Sequence, residues 1–336
     1  MNIGNTVLIS RTDSIGDVIL TLPVTVVIKQ NQPDCRVLFL GSDYTRSIVE
    51  ACPWVDQFVN WTEMKDLPID KQVQSFKNLN IDTILHIFPN KAVARIAKKA
   101  GITNRVGTSH RLFHWTTCNH RLNFSRKNSD LHESQLNCLL LKPFAETMPP
   151  SLSDIGQMQL LQPSTQPFDF DQLIDPSRFN LILHPKSKGS AREWGLENFA
   201  RLIELLPTER YKIFVSGTKA EGELLKTAIL EPYKDRITDL TGKMALADFI
   251  TFISRCDALI AASTGPLHIA AATGTQAIGI YPPMRPIHPA RWCPVGEKVK
   301  VFVADKTCSD CRHTMQCHCM QSITPQEVKL FLDNSL

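Results

Sequence analysis

Short apolar runs alternate with helix-like segments in two separate parts of the chain. In the first part, apolar runs predict strands at 6–10, 36–40 and 83–87, and helical periodicity follows them at 15–29, 43–51 and 91–100. Pro53 and Gly101 end the second and third of these helices. Strands that alternate with helices are typical of a parallel sheet covered by helices on both faces.

The second part repeats this alternation without repeating the residues. Strands are predicted at 179–184, 211–216, 258–262 and 276–281, and helices at 196–206, 220–230 and 266–273. The stretch 148–176 holds five prolines and little helical periodicity, which is typical of a linker. We therefore predict a first domain at 1–165, a second at 177–320, and a C-terminal helix at 321–336 that packs back on the first domain.

Composition narrows the class of protein. The chain has 336 residues, of which 43% are hydrophobic and 21% charged, so disordered and coiled-coil classes are excluded. The most apolar stretch, 15–28, is too short to span a membrane and is not followed by a cleavage pattern, so a cytoplasmic location is expected. In that compartment the ten cysteines are expected to be thiols or metal ligands rather than disulfides.

Charge is distributed unevenly along the chain. The net charge is only +4, but no Asp or Glu occurs from 83 to 129. That stretch contains nine basic residues: Lys91, Arg95, Lys98, Lys99, Arg105, Arg111, Arg121, Arg126 and Lys127. Two interpretations remain open: an ordinary solvated face, or a surface for phosphates, carboxylates or an anionic membrane.

The first motif, Arg11-Thr-Asp-Ser-Ile-Gly-Asp17, follows the first strand at the turn into a helix. Acidic side chains at a helix start are stabilised by the helix dipole, which accounts well for Asp13. A carboxylate at the carboxyl end of a strand can also act as a general base, which is our hypothesis for Asp17.

The second motif is Ala262-Ser-Thr-Gly-Pro-Leu-His268, again between a strand and a helix. Unsatisfied N–H groups at a helix start favour a phosphate, and Ser263 and Thr264 add hydroxyl groups. His268 lies one turn further and can donate to an oxygen. The alternative is a tight connection with a core histidine.

The third motif runs from His184 to Trp194 and follows the first strand of the second part. It places Lys186, Lys188 and Arg192 in a loop with glycine and serine, which suits neutralisation of a diphosphate without a metal. A flexible basic loop is the alternative.

In this order, the three motifs resemble glycosyltransferase family 9, the ADP-heptose:lipopolysaccharide heptosyltransferases and their relatives. The likeness covers nearly the whole chain. It implies the GT-B fold, an α/β architecture of two Rossmann-like domains facing across a cleft, with the acceptor bound mainly by the first domain and the sugar nucleotide by the second. It also implies an inverting transfer that needs no metal or other cofactor.

Site residues follow from the resemblance together with the motifs. Asp17 is the expected base, and the expected donor-binding residues are Lys188, Arg192, Glu221, Ser263, Thr264, Gly265 and His268. The expected acceptor-binding residues are Arg11, Arg105 and Arg111. The chain departs from the family pattern at Ser263, where many members have aspartate, and at Gly195, where proline is frequent.

A cysteine cluster lies near the end of the chain, at Cys308, Cys311, Cys317 and Cys319. Its first pair has a zinc-like spacing, so a structural zinc site is one interpretation. Cysteines packed in a loop, or an incidental disulfide, are the others.

The leading hypothesis is transfer of a heptose or related sugar from a nucleotide donor, ADP-heptose favoured, to an anionic acceptor of lipopolysaccharide-core type. Peripheral contact with the inner membrane leaflet is expected, and no nucleic-acid partner. A GT-B epimerase or hydrolase, or a non-catalytic nucleotide- or glycan-binding relative, are the alternatives. Donor turnover with and without a lipid-core acceptor distinguishes them.

Overall fold

The computed structural model describes residues 1–126, 128–145, 148–189, 191–285, 287–305, 308 and 317–335. The chain divides into two compact units, Met1–Gln162 and Pro163–Leu336. The division falls inside the proline-rich stretch that the sequence analysis interprets as a linker. No helix in the described ranges is both long and apolar enough to cross a bilayer.

The first unit is built on a parallel sheet. Its strands, within the described residues, are β1 (Thr6–Ser10), β2 (Arg36–Gly41), β3 (Gln57–Asn60), β4 (Thr83–His86), β5 (Asn104–Thr108) and β6 (His120–Leu122). They lie in the order β3-β2-β1-β4-β5-β6, and every neighbouring pair is parallel. The central strand β1 is buried along its whole length, as expected when helices cover both faces of a sheet.

Helices connect these strands. They are α1 (Ile15–Ile19), α2 (Leu22–Asn31), α3 (Arg46–Glu50), α4 (Trp61–Met64), α5 (Ile69–Asn78), α6 (Lys91–Lys99), α7 (Leu112–Thr117), α8 (Glu133–Cys138) and α9 (Leu152–Gly156). The segment 15–29, predicted as one helix, is two: Pro23 lies in the first turn of α2, because a proline there breaks a longer helix but suits a new helix start.

The second unit has a parallel sheet of the same design. Its described strands are β7 (Phe179–His184), β8 (Tyr211–Val215), β9 (Ile237–Asp239), β10 (Ala258–Ala261), β11 (Gln276–Tyr281) and β12 (Val299–Val303). They lie in the order β12-β11-β10-β7-β8-β9. Numbered within each unit, both sheets follow the order 3-2-1-4-5-6, which is the Rossmann order. The predicted α/β class with two Rossmann-like domains is confirmed.

The helices of the second unit are α10 (Leu196–Leu205), α11 (Lys219–Leu225), α12 (Leu246–Arg255), α13 (Gly265–Thr273), α14 (Pro289–Trp292), α15 (His318–Gln321) and α16 (Pro325–Asp333). The C-terminal helix α16 packs against α10. Nearby, Trp194 Nε1 donates to the carbonyl of Ile323 at 2.8 Å, and the Tyr211 hydroxyl donates to Asp333 at 3.0 Å. These contacts hold the C-terminal helix on the second unit, whereas the sequence predicted that it packs back on the first domain.

Each sheet has a point where the strand order reverses. In the first unit it lies between β1 and β4, and in the second between β7 and β10. Loops that leave the carboxyl ends of two such strands run to opposite sides of the sheet and leave a crevice that ligands occupy. The first motif follows β1, the second follows β10 and the third follows β7, so all three lie at these two points.

Candidate active site

The turn after β1 gathers carboxylates around one buried arginine. Arg11 is 4% exposed. Its Nε donates to Asp13 at 2.7 Å, and Nη2 donates to Asp17. Its Nη1 donates at 3.4 Å to Glu133, 122 positions further along the chain. The guanidinium of Arg11, which was predicted to bind the acceptor substrate, therefore pairs with three carboxylates of its own unit.

Glu133 joins the turn after β1 to the start of α8. Its side chain is 2% exposed and also accepts from Arg126 Nη1. The same Arg126 nitrogen donates to Asn137 Oδ1 at 2.9 Å, and Asn137 Nδ2 donates to the carbonyl of Leu20 at 2.9 Å. This network fixes both ends of α1, the short helix that carries Asp17. Neither Glu133 nor Asn137 could be recognised from the sequence, because only tertiary packing brings them here.

Burial and neighbouring charges shift the pKa of Arg11 and of Asp13. Burial alone lowers the pKa of Arg11, but Asp13, Asp17 and Glu133 raise it above its ordinary value. Burial raises the pKa of Asp13, which Arg11 lowers and the charge of Asp17 raises further. The side chains of Asp13 and Asp17 keep 25% and 20% of their surface exposed. Both carboxylates are therefore accessible to a ligand, unlike Glu133.

Two buried polar side chains lie at the reversal point itself. Ser10 ends β1 and is paired in register with His86, which ends β4. Among the described residues, neither the Ser10 hydroxyl nor either ring nitrogen of His86 has a hydrogen-bond partner. Burial, followed by the charges of His114 and Arg105, lowers the pKa of His86 to about 3, so its ring is neutral. Buried polar atoms of this kind are normally satisfied by ordered water or a ligand.

The two other predicted acceptor residues lie on and after β5. Arg105 donates through Nε to the carbonyl of Thr117 at 2.8 Å and through Nη1 to the carbonyls of Ile102 and Thr103. Its guanidinium therefore braces the backbone around β5. Arg111 is exposed at the residue that precedes α7. Of the two, Arg111 is the one whose charge faces solvent.

In the second unit, the start of α13 is shaped for a phosphate. Thr264 precedes the helix in extended conformation, and Gly265 and Pro266 form its first residues without an acidic side chain in the first turn. Thr264 is 5% exposed, and within the described chain its hydroxyl has no hydrogen-bond partner. Helix amides and a buried hydroxyl that lacks a partner fit an anionic oxygen.

The loop after β7 lies beside this helix start, because Ala261 at the end of β10 is paired with His184 at the end of β7. Glu193 fixes the loop: it pairs with Lys186 at 2.5 Å and accepts from the backbone N–H of Ser187 at 3.0 Å. Lys188 is exposed, with a left-handed φ of 51°. Lys186 is thus committed to Glu193, and Lys188 projects a cation from the loop.

The remaining donor residues lie along the same edge. The ring of His184 bonds through Nδ1 to the Ser216 hydroxyl at 3.0 Å, and burial lowers its pKa to about 4. Glu221, in α11 beyond β8, accepts from the backbone N–H of Thr218 at 2.8 Å and from its hydroxyl at 2.9 Å. This is a capping box, so Glu221 stabilises the start of its own helix.

Ser263 and His268 lie on either side of the start of α13. Burial raises the pKa of Tyr281 well above its ordinary value, and a hydrogen bond from Ser263 offsets part of this rise. Tyr281 is fully buried and donates to the carbonyl of Trp292 at 2.9 Å. His268 is 4% exposed on α13. The predicted donor residues therefore share the carboxyl edge of the adjacent strands β10, β7 and β8.

The cysteine cluster is only partly described. Cys308, Cys317 and Cys319 are buried in the hydrophobic core of the second unit, whereas Cys311 lies outside the described residues. Among the described side chains, no group of three or more His, Cys, Asp or Glu residues is arranged to hold a metal. The structural zinc site stays a prediction.

Comparison with protein families and curated proteins gives concordant matches. The family model for glycosyltransferase family 9 (heptosyltransferase) matches residues 74–320. A Haemophilus influenzae protein named "Putative glycosyltransferase" is 28% identical over 304 residues, which is 87% of this chain and 86% of that protein. Lipopolysaccharide core heptosyltransferase OpsX of the same organism is 29% identical over 133 residues, covering 39% of this chain and 38% of OpsX.

Solved structures resemble this chain over nearly its whole length. ADP-heptose lipopolysaccharide heptosyltransferase II of E. coli has a TM-score of 0.76 and 18% identity, and covers 99% of this chain and 98% of its own. A family 9 glycosyltransferase of Veillonella parvula has a TM-score of 0.77 and 17% identity, with coverage of 100% and 98%. At this level of identity the likeness shows the fold, and the predicted GT-B class is confirmed.

Proposed function

Because the chain belongs to glycosyltransferase family 9, we propose that it is an inverting enzyme that transfers a heptose or a related sugar. The donor is a nucleotide sugar, with ADP-heptose favoured, and the acceptor is an anionic glycan of lipopolysaccharide-core type. Two kinds of support converge on this choice. The chain resembles proteins named as heptosyltransferases, and its motifs lie at the two places where Rossmann-like sheets bind ligands.

The start of α13 is the observation that carries the proposal. Its backbone N–H groups and the buried Thr264 hydroxyl, which lacks a partner among the described residues, offer donors to the diphosphate of a nucleotide sugar. The charge that develops on the leaving diphosphate is stabilised at this helix end. Lys188 and Arg192 add positive charge from the loop after β7, so no divalent cation is needed for departure of the nucleotide.

Asp17 is the base in this proposal. Its carboxylate takes the proton from an acceptor hydroxyl, the oxygen forms a bond to the anomeric carbon, and the bond from that carbon to the diphosphate breaks. Arg11 and Ser14 both donate to the Asp17 carboxylate and set its orientation. Attack on the face opposite the leaving group inverts the anomeric configuration.

Nucleotide binding tests the donor site. Thr264→Val removes the hydroxyl with little change in volume, and we expect the Kd for ADP, measured by calorimetry, to rise about tenfold because a hydrogen bond to a charged group is lost. Thr273→Val is the matched control. It removes a hydroxyl from the other end of the same helix, where Oγ1 donates to the carbonyl of Ile269 at 3.0 Å, and it should leave ADP affinity unchanged.

Nucleotide identity is tested by thermal shift. A ligand that binds only the folded state raises the melting temperature, so ADP should stabilise the protein more than UDP or GDP does. If the Thr264→Val variant binds ADP as tightly as wild type does, the diphosphate does not bind at the start of α13. Greater stabilisation by UDP would overturn the choice of an ADP-sugar.

A further inference from the structure

The helix α7 presents apolar side chains to solvent. Leu112 is 89% exposed, which makes it the most exposed large apolar residue of the described chain. Trp115 is 59% exposed. The two residues are three positions apart, so they lie on the same face of the helix. Single exposed apolar residues are ordinary, but an exposed pair at helical spacing forms a contact surface.

Basic side chains surround this pair. The Arg121 guanidinium lies 5.0 Å from the centre of the Trp115 ring. Arg111 is exposed at the residue before the helix, and Lys98 of α6 donates to the carbonyl of Thr116 at 2.8 Å. No acidic residue occurs between 83 and 129. We refer to Leu112, Trp115, Arg111, Arg121 and Lys98 as the α7 patch.

The patch is held in place from below. The His114 ring is buried, and its Nδ1 contacts both the backbone N–H and the carbonyl of Thr108, at 3.1 and 2.9 Å. Trp115 Nε1 donates to the carbonyl of Ser109 at 2.9 Å. The indole is therefore anchored with its polar group satisfied, and what it presents outward is apolar surface.

The chemistry of the patch favours a lipid bilayer over a soluble glycan. The Arg121 guanidinium covers one side of the Trp115 ring, and Leu112, the more exposed residue of the pair, offers a sugar no hydrogen bonds. A short apolar surface rimmed by cations is typical of segments that lie at the boundary between headgroups and acyl chains. Tryptophan is enriched at that boundary, and here its N–H is already satisfied by the carbonyl of Ser109, so the ring can enter without an unpaired donor.

We propose that the α7 patch docks the protein on a bilayer with anionic headgroups. Leu112 and Trp115 enter the boundary region, and Arg111, Arg121 and Lys98 contact lipid phosphates. This inference deepens the proposed function, on which it rests for its biological sense, because a lipid-linked acceptor is met at such a surface. Vesicle binding itself requires neither donor nor acceptor, so it can be tested separately.

The test is co-sedimentation with vesicles of phosphatidylcholine alone or mixed with phosphatidylglycerol, free of glycolipid and nucleotide. The wild-type protein should bind the anionic vesicles more strongly and lose binding as salt increases. Leu112→Ser should lower the partition coefficient about tenfold, since it removes an apolar side chain from the boundary region. Arg111→Gln should lower it about fivefold, in line with the contribution of one basic residue near an anionic surface.

Matched controls separate this patch from exposed residues in general. Leu224→Ser changes a leucine that is 63% exposed in the second unit, and Lys65→Gln removes an exposed charge outside the acid-free stretch. Both should bind vesicles as wild type does. Since Leu112 is almost fully exposed, its replacement should not affect folding, which circular dichroism checks.

Three outcomes would overturn the inference: wild-type affinity in Leu112→Ser, equal binding to neutral and anionic vesicles, or no vesicle binding while a soluble phosphorylated glycan changes Trp115 fluorescence. The last result would make the patch a sugar-binding surface. Asp17→Asn serves to separate the two proposals. This variant should bind vesicles as wild type does. Failure of the proposed transfer mechanism would therefore leave the vesicle-binding inference intact, and failure of vesicle binding would leave the transfer mechanism intact.

Discussion

Replacement of Arg11 by glutamine tests whether the buried arginine holds the proposed catalytic turn together. The change removes the positive charge shared by Asp13, Asp17 and Glu133. Arg46 offers a matched comparison, because it also pairs with three carboxylates, those of Asp43, Glu50 and Glu63. The two arginines differ in burial: the Arg11 side chain is 5% exposed and that of Arg46 39%.

The difference in burial sets the magnitude. Removing one partner of a buried ion pair costs about 3–5 kcal/mol, because the remaining charges stay uncompensated. Asp13 and Asp17 can partly rehydrate, so we expect the lower end, about 3 kcal/mol, for Arg11→Gln. Exposed ion pairs contribute little, and the three carboxylates around Arg46 share one guanidinium, so we expect Arg46→Gln to cost about 1 kcal/mol in total. For a unit of this size the melting temperature should fall by about 6–12 °C for Arg11→Gln.

Unfolding must be followed separately in the two units, because a chain of two domains is not expected to unfold in one step. Hydrogen exchange of β1 and β4 reports on the first unit, and that of β7 and β10 on the second. Only the first should be destabilised by Arg11→Gln. Asp13→Asn added to Arg11→Gln should recover part of the loss, because it removes a carboxylate that has lost its Arg11 partner, whereas Glu133 keeps its pair with Arg126.

The loss should also depend on pH. Burial already raises the pKa of Asp13 and Arg11 lowers it, so without Arg11 the folded protein holds a proton on Asp13 more readily than the unfolded chain does. The variant should therefore gain stability relative to wild type as the pH falls from neutral toward about 4. Equal losses in Arg11→Gln and Arg46→Gln, or a loss in Arg11→Gln that does not change with pH, would refute the reasoning.

Three further predictions concern catalysis. Asp17→Asn should lower kcat by about two orders of magnitude or more while Asp13→Asn has a smaller effect, and comparable losses in steady-state assays would leave the base unassigned. Activity should survive treatment with EDTA. Inactivation by EDTA that magnesium reverses would contradict the metal-free mechanism. Slow unfolding with release of zinc would instead support a structural site at Cys308, Cys311, Cys317 and Cys319. Arg111→Gln should raise the KM for an anionic acceptor and make that KM less dependent on salt. Arg105→Gln should mainly lower stability, because the Arg105 guanidinium binds backbone carbonyls. Unchanged acceptor kinetics across a salt series in the Arg111 variant would place the acceptor elsewhere.

The central strands could be predicted from the sequence, but the edge strands could not. Strands β1 and β7 have the bounds expected from their apolar runs, because strands buried on both faces need continuous apolar residues. Five strands were missed, β3, β5, β6, β9 and β12, and all of them except β5 are the edge strands of their sheets. An edge strand is short and partly exposed, so its residues need not be apolar: β6 is His-Arg-Leu and β9 is Ile-Thr-Asp.

The local parts of the candidate site were also predictable, because each motif is a strand-to-helix turn whose residues are contiguous. The partners that come from distant segments were not. Glu133 contacts Arg11 across 122 positions, and nothing in the residues around it distinguishes it from a surface glutamate. Arg126 was assigned only to the basic stretch, although it also pairs with Glu133. Such pairings follow from packing, and a periodicity of apolar residues carries no information on them.

Because Arg11 pairs with Glu133, the proposed catalytic turn becomes fixed only late in the synthesis of the chain. During synthesis Arg11 and Asp17 leave the ribosome long before Glu133 and Asn137, which complete the network around the turn. Until α8 arrives, the Asp17 turn has only local contacts to hold it. The segment that carries the proposed base is thus among the first to be made, while the base itself is fixed only when more than a hundred further residues have been added.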